Sequence, residues 1–182
     1  NAICWHNKRL WTATFTGGIT ATQKVYRMRP DSETGWTQDT ASMGANGPVT
    51  EMISFQGQLY LATLADSGAA ALMRVRSTAG AYSTSKTAAL NEGGAIPIMA
   101  SFGEWNHFGA MAVFESNLYA VYYNRIGYGT TGDKYVRIYK YDGTSWTVPY
   151  SPTANHATAV PYQTAFIHNG SLYFVSSPSV DA

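Results

Sequence analysis

The chain repeats itself, and that repeat constrains its fold more than any other feature. Four segments align: ICWHNKRLWTAT from Ile3 to Thr14, ISFQGQLYLAT from Ile53 to Thr63, AVFESNLYAVYY from Ala112 to Tyr123, and AFIHNGSLYFVSS from Ala165 to Ser177. Each contains a leucine followed by an aromatic residue, Leu10-Trp11, Leu59-Tyr60, Leu118-Tyr119 and Leu172-Tyr173, at intervals of 49, 59 and 54 residues. Short polar or Gly-containing steps, Gln56-Gly57, Glu115-Ser116 and Asn169-Gly170, precede three of these anchors. Two such residues between apolar runs are a hairpin signal, so each anchor is expected to open the second arm of a hairpin.

A third strand is expected downstream, where apolar and polar residues alternate: Val25 to Arg29, Leu72 to Arg76 and Val136 to Lys140. In this alignment Arg29, Arg76 and Lys140 share one column. A turn then leads to a fourth strand opened by an aromatic residue, Trp36, Tyr82 or Trp146. Four twisted antiparallel strands per copy leave two faces to be covered, and radial stacking of the copies covers both. The expected fold is therefore all-β, a single β-propeller domain or part of a propeller, with four-stranded blades of about fifty residues, three full copies and a half copy. The copies span approximately 1–50, 51–109, 110–163 and 164–182. The fourth copy carries only two strands, so the last blade is two-stranded, is completed by another chain as in a homo-oligomer, or belongs to a longer protein. Its open edge favours an oligomer or a fragment over a free monomer.

Composition narrows the function classes. Hydrophobic residues make up 45% of the 182 residues and charged residues 13%, which argues against disorder and leaves the surface to Ser, Thr, Gly, Asn, Gln and Tyr. Net charge is +1 with no basic run, so a nucleic-acid partner is not expected. No apolar stretch is long enough for a membrane-spanning helix. Cys4 is the only cysteine, which excludes an intrachain disulfide and a Cys-based zinc site. Few lysines and abundant Thr, Gly and Tyr suit an extracellular, secreted protein, and a first residue other than Met suits a processed secretory protein or a fragment alike.

The strings LYLAT with MRVRS, LYAVYY with VRIYKYDGTSWT, and AVFESNLY together resemble the blades of kelch-like and lectin-type β-propellers. The resemblance covers nearly the whole chain and implies blade architecture, but such blades carry lectins, enzymes and docking platforms alike. The kelch double glycine is absent. So is the sialidase Asp-box, since Asp142 lies one residue too close to Trp146.

Candidate binding residues fall where the repeat is interrupted. Trp105 belongs to no repeat column, and the segment Phe102 to Phe108 offers Glu104, Trp105, Asn106 and His107 as a carboxylate, a stacking ring, an amide and an imidazole. A loop presenting them to a polar ligand and a loop tucking Trp105 inward both fit. Tyr128 lies in a second insertion, Tyr122 to Asp133, whose Tyr, Asn, Arg and Gly content suits a recognition loop or a solvated one. Arg29 and Arg76 would hold an anionic group if their column faced an axis, and are otherwise solvated charges. Trp11, Tyr60, Tyr119, Tyr173, Trp36 and Trp146 are assigned to packing between copies.

His6 and His168 sit beside hairpin turns, and no metal-ligand spacing occurs, so neither metal nor cofactor is expected. Asn169-Gly170-Ser171 matches a glycosylation acceptor, but the turn demands the same residues. No catalytic residues are assigned, and Glu51 and Glu104 are the one carboxylate pair worth testing for glycoside hydrolysis. The expected activity is lectin-like, non-catalytic binding of a glycan or glycoprotein. A protein-docking propeller and a fragment of a glycan-active enzyme are the alternatives.

Overall fold

A computed structural model describes residues 2–14, 24–38, 49–65, 72–75, 105–125, 134–150 and 162–176. All the regular structure among them is antiparallel β-sheet. The first unit contains β1 (Ile3–His6), β2 (Arg9–Thr14), β3 (Lys24–Met28) and β4 (Thr37–Gln38), and the second contains β5 (Val49–Phe55), β6 (Gln58–Ala65) and β7 (Leu72–Val75). The third contains β8 (Trp105–Phe114), β9 (Asn117–Arg125), β10 (Lys134–Tyr141) and β11 (Trp146–Tyr150), and the last contains β12 (Tyr162–His168) and β13 (Ser171–Ser176). The first and third units are four-stranded meanders. The far ends of β6 and β8 also pair, Leu64 with His107 and Ala65 with Asn106, so the second and third units share one continuous sheet.

Each hairpin expected from the repeat is present, and each closes on two residues in the left-handed region: Asn7 and Lys8, Gln56 and Gly57, Glu115 and Ser116, Asn169 and Gly170. Positive φ at both central positions is the turn whose twist matches the strands it joins. The anchor leucines and aromatics accordingly lie near the start of β2, β6, β9 and β13. Pairing also corrects one column. Trp11 faces Arg27, Tyr60 faces Arg74 and Tyr119 faces Lys140, so the positions equivalent to Lys140 are Arg27 and Arg74, two residues before Arg29 and Arg76.

The period of two along the central strands sorts their side chains into successive layers. Leu59 and Leu61 of β6 face the first unit, in a cluster with Trp11, Ala13, Val25, Val49 and Met52. Tyr60 and Ala62 of the same strand face the third unit, in a cluster with Phe55, Leu118, Ala120, Tyr122, Tyr139, Tyr141 and Trp146. A third cluster of Ala110, Val121 and Val136, packed against Ile138, Ala165 and Phe174, joins the third unit to the fourth. Leu59 and Leu118 therefore point to the preceding unit, and Trp11 and Tyr60 to the following one. The first strands also meet in order, β1 against β5, β5 against β8 and β8 against β12.

Candidate functional site

One ring pair recurs on the following-side face of every unit. The last residue of the first arm meets the aromatic of the anchor: His6 with Trp11 at 6.1 Å and 60°, Phe55 with Tyr60 at 6.2 Å and 57°, Phe114 with Tyr119 at 6.5 Å and 53°, His168 with Tyr173 at 6.5 Å and 55°. What covers the pair differs between units. The next unit buries His6 and Trp11 to 3% and 4% exposure. Tyr141, from the third strand of the next unit, caps the second pair at 6.1 Å from Phe55 and 6.4 Å from Tyr60. Tyr141 is itself held by a stack on Trp146 at 4.7 Å and by its hydroxyl, which donates to the Gly143 carbonyl.

Among the described residues no third-strand aromatic of the fourth unit caps the third pair, and a cleft of about 490 Å³ is lined by both of its rings. That volume lies within the range of small-molecule sites. Phe114 and Tyr119 form one part of its wall with Ile138, Pro149 and Tyr150, while Leu172, Phe174 and the turn at Gly170 and Ser171 form the other. Tyr119 is half-buried and Tyr150 is exposed, so both offer ring faces and hydroxyls to a ligand. Glu115, on the turn between β8 and β9, is the one charged residue among the described lining residues. Among the described lining residues the chemistry is aromatic and apolar with hydroxyls and one carboxylate, which suits a neutral polyhydroxylated ligand better than an anion.

The sequence-derived candidates fall elsewhere. Trp105, Asn106 and His107 are in β8 rather than in a loop, paired with Arg125, Asn124 and Tyr123 of β9. Glu104, Arg76 and Tyr128 lie outside the described residues, as does Tyr82. Arg29 follows β3 in the turn to β4, with its Nε 3.7 Å from Asp31 Oδ1 and its N–H donated to Glu33 Oε2, in the first unit and away from the cleft. The packing role expected of the anchor aromatics is met by Trp11, Tyr60 and Trp146. Tyr119 lines the cleft instead, and Tyr173 and Trp36 are each 44% exposed. Asp142 is a turn residue: its Oδ1 accepts the N–H groups of Thr144 and Ser145, and these bonds, the Ser145 one first, hold its carboxyl below the usual range.

Two polar contacts join the first strands of neighbouring units. His6 Nδ1 lies 2.8 Å from Ser54 Oγ on β5, and the Asn7 amide donates to His6 Nε2 at 3.0 Å. With Nε2 accepting, Nδ1 carries the proton and donates to the serine, so the imidazole is neutral. Burial pushes its pKa below the ordinary value, which favours the same form. On the other side of β5, the Glu51 carboxyl accepts the N–H of Met111, where the β8–β9 ladder slips between Phe108 and Met111. Burial raises Glu51 to about 7 against the opposing pull of that hydrogen bond. Glu51 thus serves as a tie between units, and its proposed partner Glu104 is outside the described residues.

Among the described residues no group of three or more His, Cys, Asp or Glu side chains is placed to hold a metal ion, and no helix is long and apolar enough to cross a membrane. No protein-family model matches the chain, and no curated protein matches it.

Proposed function

We propose that the chain is a carbohydrate-binding β-propeller, or part of one, and that a neutral sugar ring occupies the cleft between the third and fourth units. The observation carrying this reading is the uncovered Phe114–Tyr119 pair, at the position where the preceding interface inserts Tyr141. A pyranose presents a flat C–H face of similar size to a tyrosine ring, and stacking on Tyr119 would replace the missing aromatic contact. Tyr150 and Ser171 hydroxyls supply hydrogen bonds at the ring edge, and Glu115 accepts from sugar hydroxyls. Face-to-face layers and adjoining first strands favour the propeller arrangement over a sandwich, and the low charge of the chain fits an extracellular glycan binder.

A glycan array followed by titration calorimetry tests the reading. We expect binding of neutral glycans that Tyr119→Ala weakens about tenfold or more, the equivalent of one lost stacking contact of ~1.4 kcal/mol. No glycan bound by the native chain, or binding indifferent to Tyr119→Ala and Tyr150→Ala, would refute it.

A second reading has its own observation. Among the described residues β13 pairs only with β12, so its other edge can accept an added strand. An extended peptide bonded there, with an apolar residue opposite Leu172, would put that side chain in the cleft as Tyr141, opposite Leu118, fills the preceding interface. This docking reading predicts peptide binding that backbone N-methylation of the peptide abolishes and that simple sugars do not compete.

A further inference from the structure

The hairpin turn of the fourth unit carries a motif that sugar binding does not explain. Asn169, Gly170 and Ser171 form an Asn-x-Ser triplet, and none of the chain's other asparagines is followed at the second position by Ser or Thr. The turn accounts for two of these residues. Asn169 and Gly170 have φ of 47° and 69°, in the region where asparagine and glycine are favoured. Ser171 has no part in that pair: it opens β13 and pairs with His168. The equivalent positions of the other units are Arg9, Gln58 and Asn117, which pair with His6, Phe55 and Phe114, so the hairpin needs no hydroxyl there. Asn7 shows the contrast, since it opens the same kind of turn and is followed by Lys8 and Arg9, with no acceptor triplet.

All three residues are exposed. That exposure belongs to the turn and not to the place of the unit in the chain, because Asn7, Lys8, Gln56, Gly57, Glu115 and Ser116 are exposed in the other turns as well. Gln56, at the position equivalent to Asn169, stays exposed even though its amide donates to the Asp142 carbonyl of the following unit at 3.3 Å. A methyl group added at Gly170 would meet no atom, as at Gly57, so the space around both turns is open. A bulky group attached to Asn169 therefore displaces no core side chain.

We propose that Asn169 is an N-glycosylation site, modified as the chain passes through a secretory compartment. The donor is an oligosaccharide carried on a lipid diphosphate. Asn169 Nδ2 forms a bond to the anomeric carbon of the first sugar, the bond from that carbon to the diphosphate oxygen breaks, the amide gives up one proton, and the lipid diphosphate leaves. Ser171 supplies the hydroxyl that completes the acceptor, and an exposed turn is the kind of surface such a bulky, solubilising group occupies. The proposal rests on the extracellular location inferred from composition. It does not depend on whether the cleft binds sugar, nor on what lies beyond either end of the sequence.

Cell-free translation of the full 182-residue chain behind a cleavable leader, with microsomal membranes present, tests this. Protease protection identifies the translocated chains, so only those are scored. We expect the protected native chain to carry a single glycan that peptide N-glycosidase removes, with heavy oxygen from labelled water incorporated at residue 169. The label separates enzymatic release from earlier spontaneous deamidation of the Asn-Gly step. Ser171→Ala leaves Asn169 and the turn pair in place and should abolish the modification, while Ser171→Thr should retain it. The transfer acts on the chain as it enters the membrane compartment, so a variant that folds poorly still reports. A protected native chain without a glycan overturns the proposal, and so does a glycan that persists in Ser171→Ala. Failure of the sugar-binding reading would instead appear as absent glycan binding by the unmodified chain, and would leave this result unchanged.

Discussion

Glu51 and His6 tie neighbouring first strands together, and burial moves their pKa values in opposite directions, each towards the neutral form. Folded Glu51 keeps its proton up to about 7, whereas the unfolded chain releases it near 4.5. Between those values the folded state binds more protons, so stability falls as pH rises through the window. His6 behaves otherwise: its folded pKa is depressed from 6.5, so the unfolded chain takes up a proton first on acidification and stability falls below that pH. Glu51→Gln keeps an oxygen for the Met111 N–H and removes the charge. We expect it to stabilise the chain by on the order of 2 kcal/mol at pH 8 and by nothing near pH 4, measured by urea unfolding across a pH series. A constant difference between the two proteins at every pH would rule out the tie as described.

At the scale of hairpins, the turns most easily read from sequence are those with glycine or asparagine in the left-handed positions. Glu115 and Ser116 occupy the same conformation with φ of 46° and 60°, without that freedom. A side chain in this region costs roughly 1–2 kcal/mol. Ser116→Gly should therefore raise stability by about 1 kcal/mol, while Gly57→Ala and Gly170→Ala, each with no atom near the added methyl, should lower it by a similar amount. Thermal unfolding decides this, and a destabilised Ser116→Gly would contradict the turn geometry. The strand at Trp105 to His107 was less legible, because its pairing partners are Leu64, Ala65 and residues of β9 far along the chain. The third-strand column slipped for another reason. A shift of two residues keeps every side chain on its face, so alternation alone cannot distinguish Arg29 from Arg27 as the partner of Lys140.

The whole molecule adds what no single repeat contains. Leu10, Leu59, Leu118 and Leu172 were legible as one column, and their hairpins are alike, yet Leu59 and Leu118 are fully buried while Leu10 and Leu172 are half-buried. The difference lies in the neighbouring unit. For the same reason Tyr119 could not be separated from Trp11 and Tyr60 by sequence, since only the following unit determines whether the ring is capped or lines a cleft. Stability in stacked repeats is approximately a sum of unit and nearest-neighbour terms, so one substitution should have position-dependent costs. Leu59→Ala empties a filled layer and should cost about 3 kcal/mol, whereas Leu10→Ala in the single chain should cost under about 1 kcal/mol. Urea unfolding at low protein concentration measures that contrast. Equal costs at the two positions would mean that packing against the neighbouring unit does not set them.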